Sequence, residues 1–126
     1  MLRDIMLAEK IWAVIGVSHD HKKFSNRIYR RLRNLGYTVY AINPGLPEVE
    51  GDRCYPDLNA LPEKPSVINM VISPRLSPPV LQAAAALGIK YVWFQPGTWN
   101  EEIDRLGQEL NLTMLQDCIL DATAKK

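Results

Sequence analysis

Residues 11–25 read IWAVIGVSHDHKKFS, and the reading of that stretch decides the fold. Ile11 to Val17 is a near-continuous apolar run, the pattern of a strand buried on both faces rather than one with a wet side. Such a strand belongs in the middle of a sheet. It runs out at Gly16, Val17 and Ser18. From Ser25 to Leu35, apolar Ile28, Leu32 and Leu35 recur at helical spacing, with Arg27, Arg30, Arg31 and Arg33 on the other faces and Gly36 as the stop. A buried strand, a short polar loop and an amphipathic helix make the first half of a βαβ unit.

Working outward, the same alternation repeats. Tyr37 to Ile42 (YTVYAI) is β-branched and aromatic and breaks at Asn43-Pro44-Gly45. Pro47, Gly51, Pro56 and Pro62 then predict a long loop to about Pro65, with one short helix around Asp57 to Leu61. Val67 to Ser73 is a third apolar run closed by Pro74. Ser77 is the expected N-cap of a helix from Pro78 to Leu87 that stops at Gly88. Lys90 to Phe94 is a fourth strand, Asn100 to Leu110 a helix striped by Ile103, Leu106 and Leu110, and Leu112 to Leu115 a short fifth strand. The tail after Asp117 has no clear period.

Crossovers of this length are too long for hairpins and imply parallel pairing with right-handed connections. The expectation is one α/β domain over residues 1–126: a Rossmann-like three-layer fold with a five-stranded parallel sheet in the order 3-2-1-4-5. In such sheets ligands bind beyond the carboxyl ends of the strands, where the strand order reverses. The segments to read are therefore Gly16-Val17-Ser18, Asn43-Pro44-Gly45, Ser73-Pro74-Arg75 and Gln95-Pro96-Gly97.

The first of these is the expected phosphate seat. Gly16 lets backbone approach a ligand, the helix that follows presents free N–H groups, Ser18 and Ser25 add hydroxyls, and Lys22 and Lys23 carry charge. The plain alternative is a glycine that only turns the chain and lysines that are only solvated. A dinucleotide fingerprint has three glycines where this loop has one, and Asn43 stands where a nicotinamide-dinucleotide domain places an acid. His19 and His21 lack a third ligand near them and read as an exposed loop pair; no metal site is expected. Of the arginines on the first helix, only Arg27 lies close to the expected anion. Cys118, between Asp117 and Asp121, is expected to be a buried structural thiol, and Trp93, Phe94 and Trp99 to be packing. No Ser-His-acid or Cys-His set can be assembled, so no catalytic residue is expected.

Composition narrows the class. The chain has 126 residues, 47% of them apolar, and 15 basic against 14 acidic side chains for a net charge of +1. That balance commits it to neither nucleic acid nor a membrane surface. Two cysteines without CxxC spacing fit a reducing compartment. Met1 to Glu9 lacks the features of a secretory signal, and no apolar run approaches a membrane span. A cytoplasmic protein is the expectation.

Taken together, VIGVSHDHKKFSNRIYRRLRNLGYTVYAINP, GDRCYPDLNALP and YVWFQPGTWNEE resemble the stand-alone coenzyme A-binding proteins. These are similar to the coenzyme A-binding domain of the succinyl-coenzyme A synthetase α subunit. The resemblance covers residues 10 to 120 or so. It implies that Gly16, Val17, Ser18, Lys23 and Ser25 receive the coenzyme phosphates, that Asn43 and Pro44 line the nucleotide side, and that Ser73, Pro74, Gln95 and Gly97 complete the rim. In the synthetase the phosphorylated histidine and the nucleotide-grasping part lie outside this domain. The resemblance thus implies non-catalytic binding of coenzyme A (CoA) or acyl-CoA, with a protein partner supplying any catalysis. Two rival expectations are an NAD(P)-dependent oxidoreductase, with Lys22, Lys23 or Arg27 on a 2′-phosphate, and a protein-interaction module with a vestigial pocket.

Overall fold

The apolar run becomes the central strand because each of its faces has a helical layer to bury against. In the computed structural model, which describes residues 1–124, β1 spans Ile11–Ile15. Trp12 and Val14 point into one core and Ala13 and Ile15 into the other, all four buried. Each large apolar side chain so buried contributes roughly 1.5–3 kcal/mol. The first core lies under α1 (Leu2–Leu7), α2 (Phe24–Asn34) and α5 (Ile119–Ala122); the second lies under α3 (Ser77–Ala86) and α4 (Glu101–Glu109). In the first core Trp12 and Trp93 meet with ring centroids 5.8 Å apart.

α2 forms because Ile28 and Leu32, four apart, are both fully buried with Tyr29 beside them, while its basic residues point away from the core. It closes in a Schellman turn, with Gly36 N–H on Arg33 O and Tyr37 N–H on Leu32 O. β2 (Thr38–Ile42), β5 (Val67–Met70), β6 (Tyr91–Phe94) and β7 (Thr113–Gln116) follow in chain order, separated by their crossovers. All pairs among β1, β2, β5, β6 and β7 are parallel, and register aligns Ile15 with Ile42 and Met70, Met70 with Phe94, and Phe94 with Gln116. The carboxyl ends are therefore flush, which gathers the loops that follow them along one edge.

Several expectations need correction. The sheet has seven strands, not five, in the order β3-β4-β2-β1-β5-β6-β7, and β3 (Glu48–Val49) with β4 (Asp52–Tyr55) is an antiparallel pair. The expected order placed the Val67 strand beside β2. That place belongs to β4, which pairs with β2 through Ala41↔Cys54 and Ile42↔Tyr55, and the Val67 strand lies on the other side of β1. The two missed strands are short and polar at the sheet edge, so no apolar run announces them. Ser77 is not an N-cap. A 3₁₀ turn at Pro74–Leu76 runs directly into α3, making Leu76 the cap and leaving Ser77 fully buried. The short helix near Asp57 is a 3₁₀ turn, Leu58–Ala60, capped by the Asp57 carboxylate. Both ends of the described chain are helical, at α1 and α5, where no period pointed to a helix.

The β3–β4 turn has two residues at positive φ, Glu50 at 51° and Gly51 at 79°, the geometry that suits the twist of a tight hairpin. For glycine this is free, whereas for Glu50 it costs about 1–2 kcal/mol. The hairpin is tied to α2: Tyr29 donates to Asp52 Oδ2 at 2.6 Å, and Arg33 Nη1 donates to Asp52 Oδ2 at 2.8 Å and to Glu50 O at 3.1 Å. The tyrosine and guanidinium hold the Asp52 carboxyl below its ordinary range, and burial with this carboxylate pushes the Tyr29 phenol upward. Among the described residues no helix is long and apolar enough to cross a membrane.

Candidate functional site

Strand order reverses between β1 and β5, and at that point the chain needs Gly16. Its φ is +95°, and a Cβ there would stand 2.3 Å from Ile72 Cγ2 and 3.2 Å from Val71 O. The close approach that this glycine permits is thus to the chain's own β5 end. The amides of Gly16 and Val17 both donate to Ile42 O, at 2.9 and 3.3 Å, so neither is left over for an anion. Val17 is fully buried, and its carbonyl accepts from Asn43 Nδ2 at 2.9 Å. Asn43 Oδ1 also accepts from Gly45 N–H. These residues shape the edge rather than face a ligand with free polar groups.

Beyond Val17 the loop is knitted to the start of α2. Ser25 Oγ accepts from Ser18 N–H at 3.0 Å, which leaves the Ser25 hydroxyl hydrogen to donate elsewhere. Ser18 Oγ accepts from Asp20 N–H, and Asp20 accepts from the amides of Lys22 and Lys23. Lys23 is the N-cap, exposed and without a side-chain cap bond, so the first turn of α2 presents uncapped amides at the positive end of the helix. Lys22 and Arg27 are exposed beside it. His19 and His21 are both exposed, and His21 Nδ1 lies 3.2 Å from Glu50 Oε2. A helix start without a side-chain cap and two exposed lysines thus meet in this loop.

Next to it opens a cleft of about 560 Å³. Ile15, Gly16, Ile42, Asn43 and Pro44 form its floor at the ends of β1 and β2; Leu58 and Ile72 flank it; Leu76, Pro79, Val80 and Ala83 supply the wall from α3 and the turn before it. The volume is that of a small-ligand site, and the walls are apolar as such sites usually are. Sequence reading found Gly16, Asn43 and Pro44 and missed the wall. Apolar residues on the inward face of α3 carry no signal that separates a cleft from a core.

The other expected rim residues lie elsewhere. Ser73 is exposed and caps the Pro74–Leu76 turn, with Pro74 half-buried. Gln95 and Gly97 line a separate pocket of about 410 Å³ with Trp99, Gln116, Asp117, Cys118 and Asp121, at the ends of β6 and β7. Gln95 is buried, its Nε2 donating to Asn69 Oδ1 at 2.8 Å and its Oε1 accepting from Ile119 N–H at 3.1 Å. That side chain ties β5 and β6 to α5. Burial works against ionising Asp117, but the Arg3 guanidinium at 2.6 Å and the Cys118 N–H outweigh it and hold the carboxyl low. Cys118 is half-buried rather than buried, a correction that follows from its place on the pocket wall, while Cys54 is the buried thiol. Trp93 and Phe94 are core, and Trp99 is half-buried. Asn26, unnoticed in the sequence, is fully buried where the loop meets α2 and donates to Ser18 O at 2.9 Å.

A family model described as a CoA binding domain matches residues 10–123. Over 73 residues the chain is 38% identical to acetate–CoA ligase (ADP-forming) I of Archaeoglobus fulgidus, an alignment covering 58% of this chain and 11% of that ligase. It is 24% identical over 124 residues to the uncharacterized protein YneT of Bacillus subtilis, covering 98% of this chain and 92% of that one. Among solved structures, a hypothetical protein from Pyrococcus horikoshii OT3 superposes with a TM-score of 0.89 at 31% identity, covering 96% of this chain and 86% of that one. The chain thus spans about a tenth of the ligase and nearly all of the Bacillus protein.

Proposed function

The chain belongs to the family of CoA binding domains, and from that premise we propose that it holds CoA or acyl-CoA at the carboxyl edge of its sheet without transforming it. The observation that carries the reading is the apolar cleft opening beside the uncapped start of α2, at the point where strand order reverses. The adenine face and the dimethyl-bearing part of the pantetheine arm have an apolar wall to pack against, and the phosphates have amides, Ser18, Ser25 and Lys23 within the adjoining loop. Gly16, Val17, Asn43 and Pro44 set the shape of the floor and Ser73 and Pro74 continue the edge beside it, whereas Gln95 and Gly97 belong to the second pocket and stay outside the coenzyme's path.

Non-catalytic binding is supported by the chemistry of the lining. Asp57 is the ionisable residue in the cleft wall, and its carboxylate is engaged in capping the Leu58–Ala60 turn. Such a cleft can bind and orient a thioester, and its wall presents no free base or nucleophile to it. A protein partner would supply the reaction, and the cytoplasm is where CoA chemistry and two free thiols both fit.

Thermal unfolding with and without coenzyme tests the reading. Ligand at 100 times its dissociation constant adds about 2.7 kcal/mol, a shift of several degrees for a domain of this size. CoA and acetyl-CoA are expected to raise Tm and NADP to do so less. A larger shift with NADP would favour an oxidoreductase, and no shift with any of the three at millimolar concentration would favour a pocket that has lost its ligand.

A further inference from the structure

Glu50 is held in a backbone conformation that glutamate disfavours, in a turn where Asn or Asp before Gly51 would fit more easily. Its carboxylate, mostly shielded at 18% side-chain exposure, collects two contacts at one oxygen: Asn26 Nδ2 donates to Oε2 at 3.1 Å, and His21 Nδ1 lies 3.2 Å away. These hydrogen bonds keep the carboxyl below its ordinary range. Asn26 is 0% exposed and fully engaged. Its second Nδ2 hydrogen goes to Ser18 O, and its Oδ1 accepts from Arg30 Nε at 2.8 Å. Arg30 Nη2 in turn donates to His21 O at 2.8 Å. Both limbs of the loop, at Ser18 and at His21, are therefore tied through Asn26 and Arg30 to the one carboxylate on the β3–β4 hairpin.

We propose that Glu50 is a positioning residue that braces the loop between Ser18 and Lys23 from the side away from the cleft, fixing the amides and hydroxyls that meet the coenzyme phosphates. This rests on the reading of that loop as the phosphate seat. A preorganised loop binds more tightly because its ordering is not charged against association. The hairpin is a remote part of the same site: Glu50 touches no ligand and acts through Asn26 and His21. The disfavoured turn conformation separates this role from a structural one, since glycine relieves the backbone and removes the carboxylate in one change.

Three forms are compared: the wild type, Glu50→Gly and Glu50→Gln, each by CoA titration calorimetry, thermal unfolding, and amide hydrogen exchange at residues 18–23. Glu50→Gly is expected to keep its Tm, speed exchange in the loop and weaken CoA binding about tenfold, the worth of one lost hydrogen bond to a charged group. Glu50→Gln, which keeps an acceptor oxygen for Asn26, is expected to recover most of that loss. Unchanged affinity in Glu50→Gly would overturn the proposal, as would a loss matched by a fallen Tm or a Glu50→Gln no better than the glycine variant. A wild type that binds no CoA overturns the coenzyme reading and this proposal with it, whereas a wild type that binds beside an indifferent Glu50→Gly overturns this proposal alone.

Discussion

At the carboxyl edge of the sheet, the cleft beside β1 is walled by Ile15, Ile42, Ile72 and Val80, whereas the pocket beyond β6 and β7 is walled by Gln95, Gln116, Asp117 and Asp121. Their volumes are similar, about 560 and 410 Å³. Their chemistry is not. In the second pocket two of the polar side chains are engaged with the chain itself: Gln95 with Asn69 and Ile119, and Asp117 with Arg3 and the Cys118 N–H. A ligand there must compete with bonds that hold β6 to α5. In the first, the walls are mostly apolar, the lining Asn43 and Asp57 side chains are bonded to nearby backbone, and helix amides without a partner side chain lie in the adjoining loop. The two hollows on one edge thus differ in kind, one walled mostly by apolar side chains and one crossed by bonds that tie β6 to α5.

The comparison can be broken at Gly16, where the largest effect is expected. Gly16→Val places branched carbon against Ile72 and Val71 O at a φ that valine disfavours, and should lower the unfolding free energy by about 3 kcal/mol or more in urea titration. A variant as stable as the wild type would remove the argument that β1 and β5 meet through this residue. Gln95→Ala comes next. It strands Asn69 Oδ1 and the Ile119 amide inside the protein, at a cost of about 1–3 kcal/mol in the same titration, with less effect on CoA affinity than a change in the cleft wall.

The wall itself sharpens the contrast. Ala83→Leu adds bulk to the cleft and should weaken CoA about tenfold, close to 1.4 kcal/mol, with Tm kept, while Asp121→Asn in the other pocket should bind as the wild type does. Equal losses in the two variants would mean the hollows are not distinct in function. The smallest effect is at the hairpin. Asp52 has its folded pKa below the ordinary 3.8, held there by the Tyr29 hydrogen bond and then by Arg33, so these contacts stabilise the fold above that value and their contribution fades as pH falls through the lower folded one. With its side chain 45% exposed, the contribution is less than about 1 kcal/mol. The stability gap between wild type and Asp52→Asn should accordingly be present at about pH 7 and shrink as pH falls below 3.8.

What was legible in the sequence follows the same division. β1, β5 and β6 were readable because both of their faces are buried and apolar runs result, and β2, only half-buried over Val39 and Tyr40, because its residues are β-branched and aromatic and break at Asn43-Pro44. β3 and β4 were not, because Glu48, Asp52 and Arg53 sit at an edge where polar residues are tolerated, and the Glu50-Gly51 turn lacks the usual Asn or Asp. Missing them also misplaced β5, since the position beside β2 looked vacant. At the site, Gly16 and the Asn43-Pro44 break were visible as interruptions of apolar runs. The wall of α3 was not visible, because Val80 and Ala83 in a cleft look the same in sequence as Leu81 and Ala84 in the core. Gln95 was visible as an oddity at a strand end, but that its bonds turn inward to Asn69 and Ile119 depends on contacts 24 to 26 residues away.

CoA is expected in the hollow beside β1 and not in the one beyond β6 and β7. Amide chemical-shift mapping of the isotope-labelled chain during CoA titration tests it most directly. Saturable shifts are expected at Gly16–Ser25, at Asn43 and Gly45 and along Val80–Ala83, with Gln116–Asp121 left in place. Shifts confined to Gln116–Asp121, or none at millimolar CoA, would contradict that placement.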